Sequence, residues 1–411
     1  MRPKLPKTAR KAGIAVAAAA VAMMALAPDV AAATAADAFY TVAAQDIPGR
    51  PGTLLRLEPV AAPRGAASAY RILYRSRGLS GEAVAVSGVV AVPAGGEPRG
   101  GRGIVTWGHG TTGIAAGCAP SRAPARDFAA IEGLNGLLAA GDVVVATDYQ
   151  GLGAGNGHPY LVGVSEAHAL IDAARAARHV PGADAGRRVA SWGFSEGGHA
   201  ALFAGALARR YAPDLDLVGV AAASPPTELR RLLRADIGSL SGKVIASYAI
   251  WSWSHAYGAP AGAVVQGRAM PDLARIATTC SLTPGDDLTL GLTAIDYGAT
   301  GFLTRDAVRQ TAWNRLIARN SAPQREGAPV FIAQGTMDQV VGPAPTRDYV
   351  TRLCHTGARV DYVEVEGASH GGAERGAGPA AVTWLTARLD GQPAPDDCGE
   401  APDTIPARPG H

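Results

Sequence analysis

Apolar positions along the chain follow two alternating rhythms. Short continuous runs, each about one strand long, occur at 103–107, 142–147, 188–193, 217–222, 330–334 and 360–366. Between several of them the spacing widens to the three-and-four repeat of a helix, over 128–140, 165–179, 199–211 and 346–355, with a last helix expected over 379–389. Strands apolar on both faces and alternating with helices predict an α/β fold with a mainly parallel sheet covered on both sides. Upstream, residues 53–92 read as β structure. Segments 68–74 and 82–90, joined by a Gly/Ser turn, read as a hairpin.

The rhythm stops between about Pro226 and Pro323. That stretch has no clear strand and is too long for a simple connection, so it reads as an inserted helical cap over 226–322. The core is then expected in two parts, 36–225 and 323–411, the second with a C-terminal extension. The insertion carries Tyr248, Trp251, Trp253 and Tyr257. With Tyr149, these aromatics are candidates for lining a substrate pocket, and packing inside the insertion is the alternative.

Residues 1–35 have a basic start, an alanine-rich apolar stretch and small residues at the end. That is the pattern of a cleaved signal peptide, with the cut expected near Ala33 or Ala35. The leader changes the charge picture. The formal net charge is +3, but Arg2, Lys4, Lys7, Arg10 and Lys11 account for it, and Lys243 is the only later lysine. No basic patch for nucleic acid or anionic lipid is visible. Charged residues make up 18% and hydrophobic residues 47%, which suits a folded globular chain. No stable membrane anchor is expected beyond the leader, and a monomer is expected. The four cysteines, Cys118, Cys280, Cys354 and Cys398, suggest two disulfides in an exported chain, and no C-x-x-C spacing points to zinc or redox chemistry.

Candidate chemistry centres on a G-x-S-x-G pattern. It occurs at Gly193–Gly197, between a strand-like run and an apolar helix pattern, and again at Gly367–Gly371. A serine on a sharp strand-to-helix turn is lifted toward substrate, which favours Ser195 as a nucleophile. Serine needs a base to take its proton and an acid to orient that base. In α/β-hydrolases these follow in the order Ser…Asp/Glu…His. Beyond that second copy only His411 remains, so Ser369 could not head that order. Its neighbour His370, in a glycine-rich loop after the last strand, is the expected base. His255 falls in the insertion, His355 at a helix end and His411 at the chain end. Asp338, just past the run 330–334, is the expected acid, whereas Asp348 and Asp361 read as surface groups. The backbone N–H of Glu196 should be one oxyanion donor. The second is offered by the loop after 103–107, through Gly110 or Thr111, or by the loop after 142–147, through Asp148.

These pieces together resemble the secretory lipase family of fungal lipase A type. The matching motifs are Gly108–Gly113 with Cys118–Ser121, Thr147–Gly153 with His158–Tyr160, then Gly193–Gly198, Gly335–Asp338 and His370. The resemblance covers roughly residues 40–400. It implies the α/β-hydrolase fold, Ser195, Asp338 and His370 as triad, and Asp148 as second oxyanion donor. It also implies disulfides Cys118–Cys280 and Cys354–Cys398, a cap over an acyl pocket, and no cofactor or metal. The expected activity is hydrolysis of acylglycerols or other fatty esters, at a lipid–water interface. A short-chain esterase or acyltransferase, a serine peptidase of the same fold, and a non-catalytic binding protein are the alternatives.

Other signals read as structural. The glycines at 151, 153, 155 and 157 lack the third glycine of a dinucleotide loop. His109 and His158 read as hydrogen-bonded loop residues, His168 and His199 as structural or surface groups, and Glu166 as a helix-start or solvated carboxylate. If Asp148 and Glu196 both supply oxyanion amides, their carboxyl groups share one small site. One would then stay protonated near neutrality, with activity persisting into mild acid and falling on the alkaline side.

Overall fold

Among the described residues, ten strands pair into one sheet in the order β1-β2-β3-β5-β4-β6-β7-β8-β9-β10. A computed structural model describes residues 38–408, apart from 97, 99, 236–238, 301, 304–308 and 326. The leader expected over 1–35 lies outside the described residues. β1 (Leu54–Val60), β2 (Ala66–Arg77) and β3 (Ala83–Pro93) form an antiparallel meander, and β3 pairs antiparallel with β5 (Val143–Thr147). From there the sheet is parallel through β4 (Arg102–Gly108), β6 (Ala185–Phe194), β7 (Asp216–Ala223), β8 (Val330–Gly335), β9 (Val360–Glu366) and β10 (Asp403–Pro406).

The side-chain alternation of each strand feeds two cores. Ile104, Val143 and Val145 pack on one face with α3 (Gly163–Ala177) and part of α4 (Glu196–Tyr211). Val105, Trp107, Val144 and Ala146 pack on the other with α1 (Pro124–Ala130), α2 (Leu134–Ala140) and α11 (His370–Leu389). Each fully buried Val, Leu or Ile contributes roughly 1.5–3 kcal/mol, so both coverings are strongly held. α10 (Pro343–His355) covers the end of the sheet through Tyr349 and Leu353.

Three details differ from the sequence expectation. The helix expected over 128–140 is two short helices, because Gly133 takes a left-handed φ of 79° between them. The last helix starts at His370 rather than Pro379 and runs through Pro379. A proline inside a helix costs about 3 kcal/mol. Here Ala373, Ala377, Ala381 and Leu385 bury a full face and offset it. Strand β10 was not expected, since its four residues carry no apolar run and gain their partners only from β9.

Between β7 and β8 the chain forms α5 (Leu229–Ala235), α6 (Leu240–Ala256), α7 (Met270–Thr278), α8 (Pro284–Thr300) and α9 (Thr311–Asn320). Their Tyr248, Trp253, Leu273 and Trp313 share one hydrophobic cluster with Ile114, Tyr160–Val162 and Val341 from the loops of the sheet domain. The Trp253 and Trp313 rings stack at 6.1 Å. No described helix is long and apolar enough to cross a membrane.

Candidate active site

Ser195 sits between β6 and α4 with φ 53° and ψ −117°, a conformation that L-residues rarely adopt. The turn is possible because its flanks lack side chains. A Cβ on Gly193 would lie 2.1 Å from the Gly197 oxygen, and one on Gly197 would lie 1.8 Å from the Gly108 oxygen. The Ser195 N–H donates to Ala223, and the helix closes with His199 N–H donating to the Ser195 carbonyl. Ser369, in the second G-x-S-x-G, has an ordinary extended backbone and merely precedes α11.

Asp338 and His370 meet Ser195 from the ends of β8 and β9. His370 Nε2 lies 2.9 Å from Ser195 Oγ, and its Nδ1 lies 2.8 Å from Asp338 Oδ2. Asp338 is 5% exposed. Its Oδ1 accepts the N–H groups of Val340 and Val341, and Gln334 Nε2 donates to its Oδ2. Burial alone would raise this carboxyl group. The hydrogen bond and charge of His370, with the two amides, outweigh burial and hold it below the ordinary 3.8. His370 heads a helix, not a loose loop, so its backbone is fixed by α11.

Ser195 and His370 border a cavity of about 720 Å³, with Asp338 buried behind the imidazole. Leu240, Val244, Ile245, Tyr248 and Leu290 give it an apolar wall from α6 and α8. Of the five aromatics expected to line a pocket, only Tyr248 does so. Trp253 is buried with its Nε1 donating to the Tyr160 carbonyl, and Tyr257 donates to Asn320 Oδ1. Trp251 packs on His255. Helical spacing explains this, since the cavity face of α6 runs through 240, 241, 244, 245 and 248. Tyr149 is fully buried below the site and donates to the His109 carbonyl.

The geometry corrects the Asp148 expectation. Its N–H donates to the Ser87 carbonyl at 2.8 Å, continuing the β3–β5 ladder, and so is not open to an oxyanion. Its carboxyl group accepts from the Ser87 and Ser121 hydroxyls and the Ser121 N–H. Among the described residues, no main-chain acceptor takes the N–H of Glu196, Gly110 or Thr111. Gly110 and Thr111 also border the cavity. The Thr111 hydroxyl is held at 2.8 Å from the Tyr160 hydroxyl.

Nor do the carboxyl groups of Asp148 and Glu196 share a site. Glu196 Oε1 lies 2.8 Å from His158 Nε2. Glu166 and His199 lie beside this pair, with Glu166 Oε2 3.0 Å from His199 Nδ1. All four are at most 2% exposed, so Glu166 is not solvated and His199 is not a surface group. His158, Glu166 and Glu196 also bring three possible metal-ligand atoms within 4.8 Å of one another. Sequence spacing hid this cluster, because its members come from a loop and two helices and form no local motif. Away from it, disulfides join Cys118 to Cys280 and Cys354 to Cys398. The first links the loop after β4 to the segment before α8.

Residues 130–397 match the profile of the secretory lipase family. Lipase 1 of Candida albicans is 25% identical over 289 residues, which span 64% of this chain but only 58% of that relative. A probable inactive lipase of Mycobacterium tuberculosis is 25% identical over 401 residues, covering 88% of this chain and 83% of its own. In three dimensions the chain resembles Candida antarctica lipase A in its closed state, with a TM-score of 0.74, 21% identity and 89% of each chain covered. At that identity the likeness shows a shared α/β-hydrolase fold, with the chain lipase-like in sequence and architecture.

Proposed function

The chain belongs to the secretory lipase family, and from that premise we propose that it is an exported serine carboxylic-ester hydrolase acting on acylglycerols or similar fatty esters. The observation that carries this reading is the continuous hydrogen-bonded relay from Asp338 through His370 to Ser195, opening on a cavity with an apolar wall. Ser195 Oγ attacks the ester carbonyl as His370 Nε2 takes its proton. Asp338 holds the imidazole in the tautomer that leaves Nε2 free to accept. The tetrahedral oxyanion is met by the Glu196 N–H and by the Gly110–Thr111 main chain. His370 then delivers the proton to the departing alcohol. Water, deprotonated by the same imidazole, releases the carboxylic acid.

The insertion between β7 and β8 acts as a cap over the acyl chain. Leu288, Leu292 and Ile295 form an exposed apolar stripe on α8, the helix that gives Leu290 to the cavity, which suits substrate taken from a lipid–water interface. The two disulfides and the leader suit export.

The test is substrate profiling of the mature protein beside Ser195→Ala. p-Nitrophenyl esters of increasing chain length and emulsified triacylglycerol separate a lipase from a short-chain esterase. Substrates cleaved equally by Ser195→Ala reject the nucleophile. The inactive lipase among the relatives favours one second reading, a binding protein on the same fold. Absence of labelling by a fluorophosphonate probe would support it.

A further inference from the structure

Glu196 brings a carboxyl group to the one position in the elbow where a negative charge does harm. Its N–H faces the oxyanion of the proposed reaction, and an ionised side chain on the same residue would oppose that charge in a dry site. Its environment supplies the answer. No arginine or lysine pairs with it among the described residues. Its partner is His158, with Glu166 Oε1 3.9 Å from the same imidazole nitrogen.

The protons in this cluster can be counted from the acceptors. His158 Nδ1 lies 2.9 Å from the Gln150 carbonyl, and His199 Nε2 lies 2.7 Å from the Asn320 carbonyl. A carbonyl oxygen can only accept, so both of those nitrogens carry hydrogen. Each histidine's other nitrogen faces a carboxylate oxygen, His158 toward Glu196 and His199 toward Glu166. Each contact therefore holds one more proton, on the imidazole or on the carboxyl group. Wherever that proton sits, the pair is neutral as a whole.

We propose that His158 is a charge-compensating positioning residue for ester hydrolysis: the proton it holds jointly with Glu196 leaves no net charge beside the residue after the nucleophile and keeps its amide aimed at the oxyanion. The role rests on the hydrolase reading above. Burial works against a charged His158, but the hydrogen bond to Glu196 and the charges of Glu196 and Glu166 outweigh it and raise its pKa. Glu166 is itself pushed up by burial, with His199 opposing. The other titratable groups facing the pair are phenols. The Tyr149 ring stacks on His158 at 5.4 Å and Tyr160 meets it edge-on at 6.2 Å. Burial first, then Glu196, keeps both phenols protonated, and Tyr248 is raised by burial, then by Asp287 and Asp286, with Glu196 adding the least.

The experiment is a kcat and KM profile on a dissolved p-nitrophenyl ester, from about pH 5 to about pH 9, for wild type, His158→Gln, Glu196→Gln and the double variant. Glutamine cannot hold the shared proton, so Glu196 in His158→Gln is free to ionise. The expected result is a kcat loss on the order of 10- to 100-fold at alkaline pH, shrinking toward acid as Glu196 reprotonates, with KM little changed. Adding Glu196→Gln restores most of that kcat and removes the pH dependence. A loss that is equal at every pH, or a double variant as impaired as His158→Gln, overturns the proposal. If His158→Gln does not fold, the imidazole nitrogen shifts of His158 in the wild-type protein decide, read by NMR across the same pH range. An Nε2 that shares no proton with Glu196 at neutral pH overturns the proposal. One equivalent of zinc or calcium in the purified protein, removable by chelator, also overturns it, because a cation would then replace the proton. Failure of the hydrolase reading looks different, since wild type itself would lack Ser195-dependent turnover.

Discussion

Gly197 packs directly on the Gly108 carbonyl, so that a Cβ on Gly197 would sit 1.8 Å from the Gly108 oxygen. Backbone meets backbone here, and neither side can yield as a flexible side chain would. Gly197→Ala must therefore shift the elbow against β4. The expected cost is about 1–3 kcal/mol of stability. Displacement of Ser195 should also lower kcat on the order of 100-fold. Thermal melts and ester turnover check both, and a variant equal to wild type in each would show that the elbow relaxes freely.

In the proposed reaction Asp338 contributes orientation rather than proton transfer. Asp338→Asn keeps the shape but reverses the hydrogen bond to His370 Nδ1, leaving the wrong nitrogen protonated. The expected kcat loss is on the order of 10⁴-fold with KM little changed. A loss confined to KM would assign Asp338 to substrate binding instead.

Glu374 lies one helical turn beyond His370 and borders the cavity. Burial first, then the charge of Glu132, pushes its carboxyl group from 4.5 to about 8, against the pull of Arg375. The folded state thus prefers the protonated acid. Its stabilising effect is complete below 4.5, the unfolded value, and is lost as pH rises through about 8. Glu374→Gln should gain Tm relative to wild type across that window, with no gap at lower pH. A constant difference at all pH values would show that Glu374 does not titrate there.

The disulfides close loops of unequal length. Cys118–Cys280 spans 162 residues and Cys354–Cys398 spans 44. Loop-closure entropy makes the first worth about 1 kcal/mol more than the second, within a typical 2–4 kcal/mol each. Cys118→Ala/Cys280→Ala should therefore melt below Cys354→Ala/Cys398→Ala. The opposite order would point to native-state strain or residual structure in the unfolded chain.

The stripe on α8 is 64% exposed at Leu288, 55% at Leu292 and 53% at Ile295, more than a helix of a water-facing surface needs. Replacing all three by glutamine should leave turnover of dissolved short esters within about twofold and cut turnover of emulsified triacylglycerol about tenfold or more. Equal effects on both substrates would remove the interface from the stripe's role.

Much of the architecture was legible in the chain, for a local reason. Apolar runs of strand length set between helical patterns read as buried strands, and the elbow pattern needs its glycines wherever it stands. Chain order, with placement just past a strand, paired Ser195 with Asp338 and His370, and the fold joins them in one hydrogen-bonded relay. The pocket aromatics were less legible, since helical phase decides which face of α6 meets the cavity. Asp148 was misplaced because a residue one step past a strand can still belong to the ladder, and only the register with β3 shows that its N–H is taken.

The sequence by itself determined the strand and helix rhythm, the helical insertion and the order of the reactive residues, because each depends on neighbours within a few positions. The tertiary structure alone decided the partners of Glu196. His158 comes from a loop, Glu166 from one helix, and Glu196 and His199 from another, and no spacing along the chain relates those three elements. Burial converts that meeting into chemistry: four titratable groups shut away from water must settle their protons among themselves.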